Sequence, residues 1–244
     1  MAQVPHHFIA SHSIHQTVNA GVFEQYALQK VNEIFTHNNV AVMVGGTGLY
    51  ANAFCNGIDA IPNIDTAITQ HISSQYALHG IDWLQQQIKI SDPLFFQQGE
   101  INNPQRVMRA LAVKLATNNS ILSYQLKQPQ KRPFNIIKIG LTLPRQILID
   151  RINTRVNSMM EQGLLQEVTT LLPHQQLNAL QTVGYKEIFK HLQNEITLPN
   201  AIDTIKISTR QYAKRQMTWF KKDTTIAWCT PNINEVKQCI ESKK

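Results

Sequence analysis

The chain has few cysteines, no long apolar run and no phosphate-loop motif, and each absence excludes a class of protein. Three cysteines among 244 residues, none in a Cys-x-x-Cys pair, argue against a disulfide framework or zinc site. They fit reduced thiols, so we expect a cytoplasmic protein. Gly-Gly-Thr-Gly interrupts the longest weakly polar stretch, residues 40–54, so we expect no transmembrane helix and no membrane partner. No G-x-x-x-x-G-K-[ST] sequence occurs, so the chain contains no Walker phosphate loop.

Acidic residues are scarce in the second half of the chain. Residues 1–122 contain 5 Lys and Arg against 7 Asp and Glu, whereas residues 123–244 contain 18 against 9. The first half therefore carries a net charge of −2 and the second half +9. A basic half is typical of a protein that binds a phosphate-rich ligand, most often a nucleic acid. Solubility alone is an equally good explanation of the charge.

Apolar runs and turn residues predict an α/β fold. An amphipathic helix over residues 20–37 precedes the apolar run Val40–Val44, which predicts a strand buried on both faces. A Gly-rich turn follows, and then a helix. Further strands are predicted at residues 134–143 and 225–229, and a long helix at residues 144–172. Three strands are few for a parallel sheet.

Residues 64–130 differ from the rest of the chain, because they are rich in Gln, Asn, Ile and Leu and poor in strand signals. Their pattern predicts several amphipathic helices. Asp65, Asp92-Pro93 and Asn103-Pro104 are typical of helix starts, since Asp and Asn cap a helix and Pro fits its first turn. Residues 128–133 are predicted to form a linker.

Four segments are candidates for binding or chemistry. Gly45-Gly46-Thr47 follows a predicted strand, where ligands of α/β sheets bind, although such turns are common. One helix would place Gln105, Arg106 and Arg109 on one side. These side chains could bind phosphates and base edges, or they could simply be solvated. Another would place Arg151 and Arg155 one turn apart, a repulsion that a pyrophosphate or a carboxylate could relieve.

The fourth candidate is the basic stretch from Asp203 to Lys222. Helical spacing predicts an inward apolar stripe made of Ile202, Ile205, Tyr212 and Trp219. The cations would project elsewhere, and they are Lys206, Arg210, Lys214, Arg215, Lys221 and Lys222. Cations interleaved with aromatic residues suit an RNA backbone and stacked bases. Four histidines within residues 6–15 lack a nearby acidic or Cys partner, so we predict no metal site there.

Seven segments, taken in order along the chain, resemble the tRNA dimethylallyltransferases, also called tRNA isopentenyltransferases. They are residues 4–7, 44–50, 103–111, 151–156, 163–168, 182–187 and 209–220. The resemblance implies an α/β fold like that of P-loop kinases, with a parallel sheet flanked by helices and an all-helical insertion domain. The core domain would comprise residues 1–63 and 131–244, and the insertion domain residues 64–130.

The resemblance also implies an activity and its site residues. The activity is transfer of a dimethylallyl group from dimethylallyl diphosphate to the N6 amine of the adenosine 3′ of the anticodon. The expected partner is a tRNA anticodon stem-loop, and the expected state is a monomer. Arg155 and Thr47 would be catalytic, and Arg155 with Arg151 would bind the diphosphate. The residues implied in tRNA binding are Gly45, Gly46, Thr47, Gln105, Arg106, Arg109, Val183, Gly184, Tyr185, Lys186, Lys214, Arg215, Gln216 and Trp219.

The sequence departs from the family pattern at its beginning. In the family, the first strand, the phosphate loop and the aspartate proposed as general base precede the segment at residues 4–7. Mg²⁺ is implied as a cofactor, but its usual phosphate-loop ligand is absent, so we expect no metal ligand in this chain. We therefore expect the chain alone to be catalytically incomplete. Smaller departures are Asn103, where Asp is usual, and Lys186, where Arg is common.

Two alternatives to a complete enzyme follow. The chain could be a non-catalytic tRNA-binding remnant of such an enzyme, which keeps the RNA surface without the chemistry. Prenylation of free adenine nucleotides is disfavoured, because the basic stretch and the Gln-Arg-x-x-Arg segment would have little role there.

Overall fold

A computed structural model describes residues 4–125 and 128–242. The chain divides into two compact units, which are described separately below. The first unit comprises the chain up to Asn56 and again from Lys131, and the second unit is Gly57–Gln130. In chain order, the helices and strands of the described residues are α1 (Ala20–Phe35), α2 (Gly48–Asn56), α3 (Thr66–Ser91), α4 (Pro93–Gln98), α5 (Pro104–Thr117), β1 (Ile139–Leu141), α6 (Arg145–Glu161), α7 (Leu164–Leu171), α8 (Tyr185–Leu192), α9 (Leu198–Phe220), β2 (Ala227–Cys229) and α10 (Ile233–Glu241).

The sheet of the first unit is a parallel pair, β1 and β2, in which Ile139 lies opposite Ala227 and Leu141 opposite Cys229. Gly140 packs against the Trp228 ring, and a Cβ at this position would come within 2.6 Å of it. The strands predicted at residues 134–143 and 225–229 are therefore confirmed, but each is only three residues long. A parallel sheet flanked by helices is the architecture expected from the sequence.

The strand predicted at Val40–Val44 is wrong. These residues form no strand, and Val42 and Val44 are 81% and 91% exposed rather than buried. A strand is defined by hydrogen bonds to a neighbour, and among the described residues only β1 and β2 are paired in this way. Apolar composition alone could not supply that neighbour.

The single helix predicted at residues 144–172 is also wrong, because it is divided into α6 and α7. The break is at Gly163, whose φ of 98° lies in the left-handed region that residues other than glycine rarely adopt. The division lets both helices contribute to one apolar core. Val156 of α6, Val168 of α7, Ile188 of α8 and Ile205 of α9 are fully buried in it.

Arg132 joins α1 and α2 at the point where the chain re-enters the first unit. Its guanidinium donates to Glu24 Oε1 at 2.5 Å and to the carbonyl oxygens of Ala53 and Phe54, each at 2.8 Å. The side chains of Arg132 and Glu24 are almost completely buried. The ion pair thus satisfies an acidic group of α1 and two carbonyls at the end of α2.

The second unit is helical, as predicted for residues 64–130. All three predicted helix starts are confirmed by capping bonds from the following backbone N–H groups: Asp65 Oδ1 accepts from Ala67, Asp92 Oδ1 from Phe95 and Asn103 Oδ1 from Arg106, at 2.9, 3.0 and 3.3 Å. Apolar residues of α3, α4 and α5 form a separate core around Leu84, Ile88, Val107 and Leu111. In the described ranges, no helix of either unit has the length and apolarity needed to span a bilayer.

Candidate functional site

The Gly45–Gly48 turn is attached to the C-terminal half of α9. Gln216 Nε2 donates to the carbonyl oxygen of Gly46 at 2.9 Å. A Cβ at Gly46 would overlap the Gln216 amide, and one at Gly48 would overlap the Trp219 indole, so a side chain at either position would displace its partner on α9. The structure thus brings together two of the groups singled out in the sequence, the glycine turn and the basic stretch.

Thr47 lies at the start of α2, where its carbonyl oxygen accepts hydrogen bonds from the N–H groups of Tyr50 and Ala51, each at 3.0 Å. Gly45 has open space around its Cα, unlike Gly46 and Gly48. The turn therefore has one face packed on α9 and one face without a neighbour at Gly45.

The inward apolar stripe predicted for α9 is correct only in its first half. Ile205 is fully buried and Ile202 is half-buried against the core. Tyr212 and Trp219 are exposed instead, with Trp219 at 45%. The two buried residues of this helix, Ala201 and Ile205, both lie near its beginning, and of its second half only Ala213 among the described residues packs against the apolar core.

The exposed half of α9 carries cations beside these aromatic rings. Arg215 lies over the ring of Tyr212, with its Cζ 5.8 Å from the ring centroid. Lys214 and Arg215 are exposed, and within residues 4–125 and 128–242 neither has a carboxylate oxygen within 4.0 Å. Lys206, by contrast, pairs with Asp203 at 3.7 Å. Unpaired cations beside exposed rings can bind phosphates and stack on bases.

The Val183–Lys186 turn consists of Val183 and Gly184, which precede α8, and the first two residues of that helix. Gly184 has a φ of 100°, and its N–H donates to Glu187 Oε2 at 2.8 Å. The hydroxyl of Tyr185 donates to Glu167. Burial and this hydrogen bond raise the pKa of Tyr185 to about 12, so the phenol stays protonated. Lys186 is exposed, which leaves its ammonium free to meet an anion.

Arg151 and Arg155 border an open pocket of about 490 Å³ on one face of α6. The lining residues are Ile147, Asp150, Arg151, Thr154, Arg155 and Ser158. In the part of the chain that the structure describes, no carboxylate lies within 4.0 Å of either guanidinium. Asp150 instead accepts a hydrogen bond from Gln146 at 3.0 Å. The repulsion between the two arginines is therefore not relieved internally, and the pocket is suited to an anion.

The arginine face of α5 lies in the second unit and differs from that of α6. Gln105, Arg106 and Arg109 are all exposed on this helix, as its spacing predicted. Arg106 forms an ion pair with Glu100, whereas Arg109 has no such partner among the described residues. This pairing was not predictable from the sequence, because Glu100 precedes the helix and forms no i,i+4 pair with Arg106.

Glu187 and Ser208 are functional candidates that the sequence analysis missed. Glu187 is buried, and its carboxylate bonds to both Gly184 and Ser208. The spacing of Gly184 and Glu187 is that of a capping box, which is the signal that could have indicated the first of these bonds. No local pattern points to the bond with Ser208, which lies 21 residues further along the chain.

The first unit therefore combines an exposed basic and aromatic helix face, a glycine turn attached to it and an unpaired arginine pair beside a pocket. Exposed cations and aromatic rings of this kind suit the phosphates and bases of a nucleic acid, and a pair of guanidinium groups suits a phosphorylated small molecule.

The chain belongs to the IPP transferase family, whose family model matches residues 1–223. It is 41% identical over 231 residues to tRNA dimethylallyltransferase 1 of Bacteroides thetaiotaomicron, covering 95% of this chain and 75% of that protein. It is 40% identical over 245 residues to the tRNA dimethylallyltransferase of Christiangramia forsetii, covering 100% of this chain and 81% of that protein. The family expected from the seven segments is thus confirmed.

Among solved structures, the chain is similar to the full-length tRNA isopentenylpyrophosphate transferase from Bacillus halodurans. The TM-score is 0.65 at 32% identity, and the match covers 100% of this chain and 77% of that one. This likeness confirms the fold class that the resemblance implied.

Proposed function

We propose that this protein transfers a dimethylallyl group from dimethylallyl diphosphate to the N6 amine of the adenosine 3′ of the anticodon in tRNA. The observation that carries the proposal is the attachment of the Gly45–Gly48 turn to the basic half of α9 through Gln216 and Trp219. The names of its relatives, which are tRNA dimethylallyltransferases, support the same substrate.

The RNA would bind along the exposed half of α9. Lys214 and Arg215 would contact phosphates, and Trp219 would stack on a base beside the glycine turn. An adenine modified at N6 must leave its stack, so it needs a surface that accepts it closely. The open side of Gly45 and the indole of Trp219 offer a narrow turn and an aromatic ring for that purpose.

The diphosphate would bind at Arg151 and Arg155. In the transfer, the bond between the allylic carbon and the diphosphate oxygen breaks, a bond from that carbon to N6 forms, and the proton that N6 loses passes to solvent water. Negative charge grows on the departing diphosphate, so a guanidinium there stabilises the transition state more than the ground state. We assign that role to Arg155. Thr47 would act at the adenine base of the RNA.

The pocket offers one carboxylate, Asp150, as a ligand for a magnesium ion. Mg²⁺ is usually bound by one or two carboxylates together with substrate phosphates, so Asp150 would hold the ion together with the diphosphate, where it would neutralise negative charge. The steps above are assigned to the side chains of this chain alone.

The proposal is tested by incubating the 244-residue chain with labelled dimethylallyl diphosphate and unmodified anticodon stem-loop RNA, with RNA affinity measured in parallel. The wild-type chain is expected to bind the RNA with a strong salt dependence. The double variant Lys214→Glu, Arg215→Glu should weaken binding at least tenfold. The matched control Lys89→Glu, Lys237→Glu makes the same charge change at two exposed lysines outside the segments assigned to RNA and should have a much smaller effect.

Label transferred to the RNA would support the full activity. Salt-sensitive binding without transfer, from a folded chain, would support either the expected catalytically incomplete chain or the non-catalytic tRNA-binding alternative. Equal binding by the two double variants would contradict the placement of RNA on α9. The free cysteines fit a cytoplasmic protein, and size-exclusion chromatography would test the expected monomer.

A further inference from the structure

Glu187 is a buried carboxylate whose two oxygens have different partners. Glu187 as a whole is only 8% exposed. Oε2 accepts from the backbone N–H of Gly184 at 2.8 Å, and Oε1 accepts from the hydroxyl of Ser208 at 2.8 Å. The first bond joins Gly184 of the Val183–Lys186 turn to the first helical turn of α8, and the second reaches α9.

Among the residues that the structure describes, no cation compensates this buried carboxylate. Within the described ranges, no Lys, Arg or His nitrogen lies within 4.0 Å of the Glu187 carboxylate. A buried charge held only by neutral donors is costly, so its value lies in the geometry that its hydrogen bonds impose. That geometry is a specific one, because Gly184 has a φ of 100° and directs its N–H at the carboxylate.

Both turns singled out in the sequence are thus hydrogen-bonded to the same helix. Glu187 links the Val183–Lys186 turn to Ser208, and two turns further along α9 Gln216 bonds to Gly46 of the glycine turn. Lys186 is exposed next to Glu187, so its position depends on the shape of the turn.

We propose that Glu187 is a positioning residue, which holds the Val183–Lys186 turn on α9 in the shape that presents Lys186 to an RNA phosphate. The inference rests on the proposed function, since it assumes that the turn meets RNA. Glu187 itself contacts no RNA in this proposal and acts through Gly184 and Ser208.

The test measures the affinity of labelled anticodon stem-loop RNA for Glu187 variants over a range of salt concentrations. Glu187→Ala removes both bonds, so the dissociation constant should rise about tenfold. The slope of log affinity against log salt should become shallower by about one, because one phosphate contact is lost. A loss of stability alone would leave that slope unchanged in the folded fraction.

The conservative variant Glu187→Gln should bind within about twofold of wild type. Its amide oxygen can accept from Gly184, and its amide nitrogen can donate to the Ser208 oxygen. Ser208→Ala keeps the Gly184 bond and loses the link to α9, so we expect a rise of about threefold in the dissociation constant. Glu235→Ala is the matched control, because Glu235 makes a similar bond to the Thr230 N–H at the start of α10. This control should bind RNA as wild type does.

Wild-type affinity and salt slope in a folded Glu187→Ala variant would overturn the inference. If that variant does not fold, Ser208→Ala decides, and wild-type binding by it would overturn the inference equally. A Glu187→Gln variant as weak as Glu187→Ala would contradict a role through hydrogen-bond geometry.

Amide hydrogen exchange separates this inference from the proposed function. If wild type binds no RNA, the proposed function fails, but the positioning role is still measurable at Gly184. Its amide should exchange at least tenfold faster in Glu187→Ala, which removes its acceptor, and about threefold faster in Ser208→Ala, which keeps that acceptor but releases it from α9, while the amide of Ile205 in the core keeps its protection. Unchanged exchange at Gly184 would contradict the role of Glu187.

Discussion

Two arginine environments in the first unit differ in what their guanidinium groups contact. Arg132 is buried and bonds to Glu24 and to two carbonyl oxygens at the end of α2. Arg151 and Arg155 are exposed beside a pocket, and in the described ranges no carboxylate lies within 4.0 Å of them. An arginine satisfied by its own chain stabilises the fold, whereas an unsatisfied pair is available to a ligand.

The arginine face of α5 is intermediate between these two environments. Arg106 pairs with Glu100 at the surface, and Arg109 is exposed without such a pair among the described residues. Exposed ion pairs contribute little to stability, so an RNA phosphate could compete with Glu100 for Arg106. The comparison therefore predicts three different outcomes for arginine substitutions.

The largest effect is expected at the buried arginine. Arg132→Met leaves Glu24 buried without its cation, which should lower the free energy of unfolding by about 3–5 kcal/mol. Urea denaturation followed by circular dichroism measures this change. The double variant Arg132→Met, Glu24→Leu removes the stranded charge and should recover much of the loss. A double variant as unstable as the single one would contradict the claim that Arg132 stabilises the fold by compensating the charge of Glu24.

The next largest effect is expected at the pocket of α6. Arg155→Ala should lower kcat for dimethylallyl transfer by about 10²–10³-fold, because it removes a positive group beside the departing diphosphate. Its free energy of unfolding should change by less than about 0.5 kcal/mol, since the side chain is exposed. If the chain transfers no label, diphosphate affinity replaces kcat as the measured quantity. Arg145→Ala is the control, because Arg145 is an exposed arginine of the same helix that does not line the pocket. Equal losses of activity in both variants would contradict a specific role for Arg155.

A smaller effect is expected on α5. Arg109→Ala should raise the dissociation constant for anticodon stem-loop RNA about fivefold and leave kcat at saturating RNA unchanged. Fluorescence anisotropy and initial-rate kinetics measure the two quantities. Lys114→Ala, near the end of the same helix, is the charge-matched control. A fall in kcat for Arg109→Ala would assign α5 the role that we give to α6.

The smallest effect concerns another cation satisfied within the chain, Lys138. Burial opposes ionisation of Asp223, but hydrogen bonds from Lys138 and Thr225 outweigh it and lower the pKa of Asp223 from 3.8 to about 2. Because the folded pKa is the lower one, the stabilisation is complete above about pH 4 and is lost as the pH falls towards 2. Thermal melts should show wild type more stable than Asp223→Asn at pH 6, with the difference shrinking between pH 4 and 2. Asp150→Asn is the matched control for the substitution itself, at an exposed carboxylate with no cation partner among the described residues.

Helix positions were largely predictable because their signals are local. Asp65, Asp92 and Asn103 cap the helices that follow them, and each capping bond spans only two or three residues. The Val40–Val44 run could not be assigned correctly in the same way, because a strand depends on a partner that its own residues do not specify. Gly163 was visible in the sequence, but its positive φ was not, since glycine is also tolerated inside helices.

The candidate site was predictable as a set of segments, and its pairings were not. The order of the segments and the spacing of residues within them were enough to indicate the family. They also singled out Arg155, the glycine turn and the basic stretch, because a motif is defined by residue types within one short segment. Whether Trp219 faces a core or solvent depended on where the core ends along α9. Only the tertiary structure decided that Gln216 bonds to Gly46 across 170 residues and that Glu187 bonds to Ser208 across 21. Such contacts form between elements brought together by core packing, and no local pattern of residue types encodes which pair will meet.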